Sequence, residues 1–337
     1  MRTVDLIVLA FGLGIFFVEI LLLKRRGKTV QLQPSILNLS LGMLERLIGI
    51  LSLNLGLHIF QALVPYQIIP SVQNSILAFV LAFVVTDLFW YIYHRASHRV
   101  SVAWVAHLIH HQPVEYNMSV NFAMSPYGQI LRVFLYAPMV LLGITPENIV
   151  LATVVHALYQ ALLHSELWPE FKGLERVVVT PRYHQIHHSC ANDHLDKNYG
   201  GFLTIWDQLF GSYHTGREPL TYGLTKPIEQ PDPIYVSVFF AARLLQNFRE
   251  MPFSQATKLL FVGPEKQPKK IPRLYRHPVN PTWGNSLAGF TLFLTGYILT
   301  SHPEIMPFWL AFTLALVGSF WTSGLQLKPI LLTISRK

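Results

Sequence analysis

The stretch DLFWYIYHRASHRVSVAWVAHLIHH, from Asp87 to His111, decides the fold of this chain. It contains five of the fifteen histidines within eighteen residues, namely His94, His98, His107, His110 and His111. Histidines three or four residues apart on a helix lie on the same face. Two helical turns that face each other would therefore direct five imidazoles at one point. A second HxxHH, at His184, His187 and His188, repeats the pattern further along the chain.

These eight histidines are predicted to bind metal. A lone histidine, such as His58, His277 or His302, usually packs in a core or lies at an interface. Eight histidines without partners beside apolar spans would be costly, and neutral imidazole is the commonest metal ligand in proteins. Because eight imidazoles exceed the four ligands of one zinc ion, two metal ions are predicted. Imidazole suits zinc, copper, iron and nickel, so the spacing alone does not separate iron from zinc.

The composition is that of a membrane protein. Hydrophobic residues make up 51% of the chain and charged residues 13%, about half of the roughly 25% that is usual in soluble domains. The formal net charge of +8 is expected to favour anionic lipid headgroups over nucleic acid, given the apolar spans. The only cysteine is Cys190, which excludes an internal disulfide and a metal site built from cysteines.

Apolar runs in the first third of the chain predict three transmembrane helices. Residues 4–23 have the length that a bilayer core requires. The basic residues that follow, within 24–28, place the C-terminal end of this helix in the cytoplasm. Two more spans are predicted at 42–64 and 76–93. The third span leads directly into the first histidine cluster, which therefore lies at the cytoplasmic surface.

The later apolar runs predict two hairpins. The runs at 130–142 and 149–163 are short for spanning, so a shallow or re-entrant hairpin is expected. Such a hairpin returns to the side it left and places His164 near the first cluster. Residues 285–300 and 306–326 are expected to form a final transmembrane hairpin.

The fold class predicted from these features is all-α integral membrane. A transmembrane helix bundle would carry a cytoplasmic, histidine-rich helical cap that binds two metal ions. Basic residues of the tail after residue 327 are expected to end in the cytoplasm. Four regions are predicted: N-terminal transmembrane helices at 1–70, a catalytic domain at 71–215, a cytoplasmic extension at 216–283 and a C-terminal transmembrane hairpin at 284–337.

Three motifs together resemble a known family. HRASH, HLIHH and HQIHH, at these intervals, are similar to the three histidine boxes of the fatty acid hydroxylase/sterol desaturase superfamily. The segments DLFWYIYHR, EYNMS, DKNYGG and TIWDQLFGSYH resemble its alkylglycerol monooxygenase branch in particular. The resemblance extends over residues 40–275. It implies a di-iron, oxygen-dependent membrane enzyme, with a fatty acid hydroxylase catalytic domain, that hydroxylates a C–H bond of a lipid.

The resemblance also implies a ninth ligand between the second and third boxes. The family often has a further histidine pair there, and His164 is the expected ligand in this chain. The position four residues earlier is Gln160, and His156 is left open as a ligand, a neighbour of the ligands or a core residue. The expected metal ligands are His94, His98, His107, His110, His111, His164, His184, His187 and His188.

One departure leaves the substrate open. In the namesake enzymes the attacked carbon lies beside an ether oxygen of a glyceryl ether, and the reductant is tetrahydrobiopterin. Those of animals are expected to have an Arg-Gln pair where this chain has Ala123 and Met124. The pterin and the glyceryl ether are therefore less firmly implied than the di-iron centre.

Acidic neighbours of the boxes are candidates for orienting the ligands. Asp87 lies seven residues before His94 on the same helical face, so it is expected to accept the second N–H of that imidazole. Asp207 is expected instead to fix the turn after the last box, and His194 and His214 fall outside the box pattern. Three further candidates for an orienting role are Glu115, Asp196 and Asn198.

The function predicted from the sequence is a membrane-bound di-iron lipid monooxygenase. Its cofactors would be two iron ions, with O2 as co-substrate and an external reductant such as tetrahydrobiopterin. The chain has no GxGxxG motif after a strand, no haem motif and no iron–sulfur cysteines, so electrons must come from a partner. Rival predictions are a lipid desaturase, a headgroup hydroxylase, and a zinc hydrolase or metal transporter. The expected location is a bacterial inner membrane or the endoplasmic reticulum, and no nucleic-acid partner is expected.

Overall fold

The computed structural model describes residues 2–28, 30–71, 75–228, 232–268, 279 and 281–325. His277 and the predicted basic tail after residue 327 lie outside these residues. The described part of the chain is helical, and its only β-structure is three isolated bridges. The prediction of an all-α chain is therefore confirmed for the described residues.

Thirteen α-helices occur in the described part of the chain. In chain order they are α1 (Arg2–Arg25), α2 (Leu32–Leu63), α3 (Ile76–Arg99), α4 (Ser101–Trp104), α5 (Leu108–His111), α6 (Pro126–Leu141), α7 (Pro146–Leu163), α8 (Pro181–His188), α9 (Ile205–Leu209), α10 (Pro233–Glu250), α11 (Phe253–Leu260), α12 (Trp283–Leu299) and α13 (Phe308–Thr322). Short 3-10 turns lie at Val64–Tyr66, Met118–Phe122, Leu174–Arg176, Asn192–His194 and Pro264–Lys266.

Helix α2 begins at Leu32, well before the start predicted at residue 42. Polar residues interrupt the apolar run in sequence, but distant segments satisfy their side chains. The Asn38 amide donates to the Ser119 hydroxyl at 3.0 Å, and the Ser40 hydroxyl donates to the carbonyl of Ser319. Because both polar residues are buried and paired, the helix extends through them.

Helix α3 carries the first histidine box as part of its own length. It begins after Ser75, whose hydroxyl accepts the Ala78 N–H at 3.0 Å, as serine does at helix starts. It continues past the predicted end at residue 93 to Arg99, so His94 and His98 lie on its last turns. The first box is therefore an extension of a long apolar helix.

Three helices around the histidines begin with a hydroxyl residue followed by proline. The pairs are Ser125–Pro126 at α6, Thr145–Pro146 at α7 and Thr180–Pro181 at α8. In each pair the hydroxyl accepts a backbone N–H of the first turn, and the fixed φ of proline suits the first helical position. Local sequence thus sets where the helix that carries the third box begins.

Helix α10, in the predicted extension 216–283, packs against the region that carries the second histidine box. It contributes to a buried apolar cluster that also contains Leu108 and Ile109, which lie between the histidines of the second box. The full set of buried residues in this cluster is Leu37, Leu41, Leu108, Ile109, Ala123, Tyr235, Val236, Phe239, Phe240 and Leu244. Helix α10 therefore packs against the apolar residues of the second box.

Helices α12 and α13 form the predicted hairpin, with their backbones in close contact. A Cβ atom at Gly318 would meet the backbone of Phe293 and Gly289, closer than real Cβ atoms approach. Small residues allow this approach between helices that pack in lipid. On the other side, the carbonyl of Ser319 accepts the Ser40 hydroxyl and so ties α13 to α2.

Two helices of the described residues are long and apolar enough to cross a membrane, Leu32–Tyr66 and Ile76–Arg99. Only 28% and 39% of their most apolar windows are buried, whereas the core helix of a soluble protein would be mostly buried. Large apolar side chains on α12 and α13, including Trp283 and Trp309, are also exposed. Exposed apolar surface of this extent marks a membrane or partner surface. The number of passes and the cytoplasmic side of the histidines stay predictions.

Candidate metal centre

The structure brings all nine predicted ligands together in two groups. The ring nitrogens that face each other within a group all lie within 4.8 Å of one another. The first group contains His94, His98, His107, His111 and His187. The second group contains His110, His164, His184 and His188. All nine are buried except His98, which is partly buried.

The two HxxHH boxes divide between the groups in a reciprocal way. His107 and His111, four residues apart, join the first group, while His110 joins the second. The third box does the reverse, because His184 and His188 join the second group and His187 the first. Adjacent residues of a helix point about 100° apart, so the last two histidines of a box face different groups. The prediction that the first five histidines meet at one point is therefore wrong for His110.

The two groups adjoin each other. The rings of His111 and His188 are stacked with centroids 4.4 Å apart, although they belong to different groups. His110 and His188, both in the second group, lie 4.5 Å apart. Four short stretches of chain supply the ligands: the end of α3, the turn through α5, the residue after α7, and α8.

Backbone carbonyls fix the orientation of three imidazoles. The Nδ1 atoms of His94 and His187 lie 2.8 Å from the carbonyl oxygens of Tyr199 and Lys197, respectively. The Nδ1 atom of His164 lies 2.9 Å from the carbonyl of Gln160. A carbonyl only accepts, so each neutral ring carries its proton on Nδ1. The Nε2 lone pairs of these rings therefore point into the groups.

The inward nitrogens fit a bound cation. The Nε2 atom of His164 faces those of His110 and His184 at 3.2 and 3.0 Å, although its single lone pair can accept only one hydrogen bond. The Nε2 atoms of His94 and His98 are buried without a hydrogen-bond partner among the described residues. Unpaired buried nitrogens are costly. A metal ion in each group would satisfy them.

Burial keeps these imidazoles neutral. It lowers the pKa of His187 from its ordinary 6.5 to about 4. The pKa values of His184 and His188 lie well below the ordinary value. Burial is the largest cause, and repulsion from neighbouring imidazoles lowers these pKa values further. The neutral ring is the form that binds metal, so both groups are ready to bind at neutral pH.

The lowered pKa of His187 predicts a pH-dependent stability of the metal-free protein. Between pH 4 and 6.5 the unfolded chain binds more protons than the folded chain, so stability falls as pH falls through this window. From pH 7.5 to 5, His187 should contribute a loss of about 2 kcal/mol. Thermal unfolding of chelator-treated protein should show a smaller pH dependence in His187→Gln than in the native chain. Equal dependence in the two proteins would contradict this assignment.

Comparison with known proteins indicates the family of this chain. The sequence profile described as fatty acid hydroxylase matches residues 79–212, which contain all nine histidines. The alkylglycerol monooxygenase of Danio rerio is 32% identical over 297 residues, which cover 84% of this chain and 66% of that protein. The human alkylglycerol monooxygenase is 30% identical over 271 residues, or 77% of this chain and 60% of that protein.

The chain belongs to the fatty acid hydroxylase/sterol desaturase superfamily.

A bacterial relative extends the comparison. The ornithine lipid hydroxylase of Rhizobium tropici is 27% identical over 195 residues, or 57% of this chain and 54% of that protein. The chain thus spans about two thirds or less of the length of these curated relatives. No solved structure matches it.

Asp87 does not orient His94, which corrects the predicted contact. The Nδ1 atom of His94 lies against the carbonyl of Tyr199 instead. Asp87 is fully buried, and its Oδ1 accepts the Nε2–H of His156 at 3.0 Å. Its remaining donors are the N–H groups of Phe202 at 2.7 Å and Leu203 at 3.0 Å and the indole of Trp206 at 2.8 Å. The direction of a side chain depends on packing as well as on its helical face. Here the loop after Tyr199 brings backbone N–H groups within hydrogen-bond distance of Asp87.

The sequence left the roles of His156 and Gln160 open. Both residues belong to the hydrogen-bond network around Asp87 and Gly201. His156 binds Asp87 and lies outside both histidine groups. The Gln160 side-chain amide donates to the carbonyl of Gly201, while the backbone carbonyl of Gln160 accepts from Nδ1 of His164. A Cβ atom at Gly201 would overlap the ring of His156, which explains why residue 201 is a glycine.

Glu115 forms no hydrogen bond with the nine histidines of the described structure, which corrects the orienting role predicted for it. Its carboxylate accepts the backbone N–H of Gln31 at 3.1 Å. Gln31 is the residue before α2, so Glu115 binds the start of that helix. A negative charge at a helix N-terminus is favourable. Proximity in sequence to the second box therefore indicated the wrong role.

The DKNYGG loop holds two ligands through its backbone. Asp196 and Asn198 adopt left-handed φ values of 60° and 59°, a conformation that asparagine and aspartate tolerate better than most residues. Lys197 and Tyr199 then supply the carbonyls for His187 and His94. Asp207 accepts the N–H groups of Tyr199 and Gly200 at 2.8 and 2.6 Å, which confirms its predicted role in fixing this turn. The carbonyl partners were missed because backbone groups leave no residue-type signal.

A third group of possible ligands was also missed. His194, His214 and Glu218 have ligand atoms within 4.8 Å of one another. The two histidines fall outside the box spacing, and the nineteen residues between them include α9. Only the tertiary structure brings them together.

Proposed function

We propose that this protein is a membrane-bound di-iron monooxygenase that hydroxylates a C–H bond of an alkyl or acyl lipid. The observation that carries the proposal is the reciprocal division of nine histidines, eight of them buried, into groups of five and four. One imidazole group would serve a single ion, whereas two adjoining groups support a binuclear centre. The relatives named as monooxygenase and lipid hydroxylase support iron and oxygen chemistry over zinc hydrolysis.

The nine histidines would hold the two ions, and the residues behind them would fix their geometry. When bound, the iron pair would supply the activation of O2 that inserts one oxygen atom into a C–H bond. Carbonyls of Tyr199 and Lys197 orient His94 and His187, while Gln160 orients His164. Burial of the rings keeps water away from them, which protects a reactive centre from side reactions.

The segment after the second box supports a lipid substrate. The rings of Tyr116 and His164 are stacked, with their centroids 5.8 Å apart. The next residues pack on apolar helices, because Met118 donates its N–H to Glu19 on α1 at 2.6 Å and Ser119 binds Asn38 on α2. The segment thus connects the metal ligands with the helices that would contact the bilayer. Ala123 and Met124 lie in the same segment. The departure from the Arg-Gln pair at these two positions therefore bears on the choice of lipid.

The names of the first relatives favour an ether lipid within this class. Four alkylglycerol monooxygenases match the chain, at 29–32% identity. Ether cleavage would follow from hydroxylation of the carbon beside the ether oxygen. A desaturase and a headgroup hydroxylase require the same ligands. Electrons would come from an external donor, for which tetrahydrobiopterin is one candidate.

Metal analysis combined with oxygen labelling tests the proposal. Protein purified without oxygen should contain two iron ions, and turnover of an alkylglycerol under ¹⁸O2 should place one labelled atom in the product. A desaturase would leave the label in water. Two zinc ions without oxygen uptake would overturn the proposal in favour of hydrolysis.

A further inference from the structure

We propose that His194, His214 and Glu218 form a third cation site, separate from the nine histidines, for a divalent metal ion of the zinc type. The ligand atoms lie within 4.8 Å of one another. The Nε2 atoms of His194 and His214 lie 3.5 and 4.0 Å from the Glu218 Oε2 atom. Ligands of a tetrahedral zinc ion with bonds of about 2.0–2.1 Å are roughly 3.4 Å apart, so small shifts would close the site.

The two imidazoles have the unpaired nitrogens that a metal would satisfy. His194 is 1% exposed, and its Nε2 atom has no hydrogen-bond partner among the described residues. The Nε2 atom of His214 is also shielded from solvent and unpaired there. A buried nitrogen without a partner is costly. The distances to Glu218 suit ligands on one ion better than direct hydrogen bonds.

Neighbouring residues hold the ring of His194 and the backbone of His214 in place. The Ser189 hydroxyl lies 2.9 Å from Nδ1 of His194, which turns the Nε2 atom of that ring toward Glu218. The Asn198 side chain accepts the N–H of His214 at 2.7 Å and donates to its carbonyl at 2.8 Å. Metal-binding histidines characteristically have a partner on the second ring nitrogen, as His194 has in Ser189.

Glu218, the third ligand of this site, lies on a loop that hydrogen bonds hold next to the two imidazoles. The N–H of Cys190 donates to the carbonyl of Thr221 at 2.7 Å, which pairs the chain before His194 with the chain after Glu218. Arg182 on α8 donates to the carbonyls of Gly216 and Glu218 at 3.1 and 3.0 Å. The loop is thus fixed at both ends, with the half-exposed Glu218 carboxylate turned toward the histidines.

Two histidines and a carboxylate with one side open to solvent match a zinc-type ligand set. The role inferred for the ion is to fix the loop. Glu218 and its neighbours Arg217 and Leu220 line a polar cleft of about 450 Å³ that also includes Tyr222. The Tyr222 ring stacks on Tyr116 at 4.9 Å. A cation at this site would therefore order one wall of a cleft that approaches the metal centre.

Metal counting in matched variants tests the third site. The full-length protein in detergent would be stripped with a chelator, loaded with Zn²⁺, desalted and analysed for bound metal. His214→Ala and Glu218→Gln should each bind one equivalent less than the native chain, because each removes a partly exposed ligand with little effect on packing. His302→Ala is the control, since His302 pairs with Glu304 in an exposed loop without a second histidine. It should bind as much as the native chain.

A local measurement completes the test. Zn²⁺ should slow amide hydrogen exchange in residues 190–220 of the native chain and have no such effect in Glu218→Gln. Equal zinc content and equal exchange in the two proteins would overturn the proposal. The result is independent of the di-iron assignment, because loss of metal from the nine histidines leaves the difference between these two proteins unchanged.

Discussion

Replacement of His184 or His187 by alanine is expected to abolish turnover, with a different loss of metal in each variant. The two residues lie one turn apart on α8 but belong to different groups. Outer partners of metal ligands typically contribute 10–100-fold to affinity or activity, so loss of a ligand itself should cost about 100-fold or more. His184→Ala leaves three imidazoles in its group and His187→Ala leaves four, so His184→Ala should lose its ion more readily.

Iron content and activity measured on the same preparations test this prediction. His302→Ala is the matched control, because this exposed imidazole binds Glu304 and lies outside both groups. Melting temperatures of the metal-free proteins would separate loss of metal from loss of fold. Native iron content and turnover in both variants would contradict a binuclear histidine centre.

Much of this arrangement could be predicted from the sequence because helical spacing is a local property. The HxxxH and HxxHH patterns predicted which histidines share a helical face, and eight of the nine ligands follow from them. The division of the predicted ligands between two groups could not be predicted in the same way. His110 and His111 point about 100° apart on their helix, but which group each one joins depends on the tertiary structure.

The roles of the acidic residues depended on tertiary contacts that no spacing rule includes. Asp87 shares a helical face with His94, yet the segment from Phe202 to Trp206 supplies three of its four donors from more than a hundred residues away. Glu115 follows the second box but binds the start of α2. A carboxylate takes the nearest unpaired donors, and in both cases a distant segment brought them.

Replacement of Asp87 by alanine is expected to destabilise the protein by about 3–5 kcal/mol, as loss of one partner from a buried charged network does. Four donors converge on this fully buried carboxylate, from His156, Phe202, Leu203 and Trp206. Asp87→Ala would leave all four unpaired. Asp87→Asn should also destabilise the protein, because each carboxylate oxygen accepts two donors and the amide NH2 group can accept none.

Thermal unfolding in detergent, with iron content measured in parallel, distinguishes this support role from direct metal binding. The loop that Asp87 fixes also carries the Tyr199 carbonyl that orients His94, so stability should fall first and metal content should follow. Trp206→Phe removes a single donor and should cost only about 1.5–3 kcal/mol, the usual contribution of one hydrogen bond to a charged group. A variant Asp87→Ala with native stability but without iron would instead identify Asp87 as a ligand, since a support residue cannot lose metal while the loop remains in place.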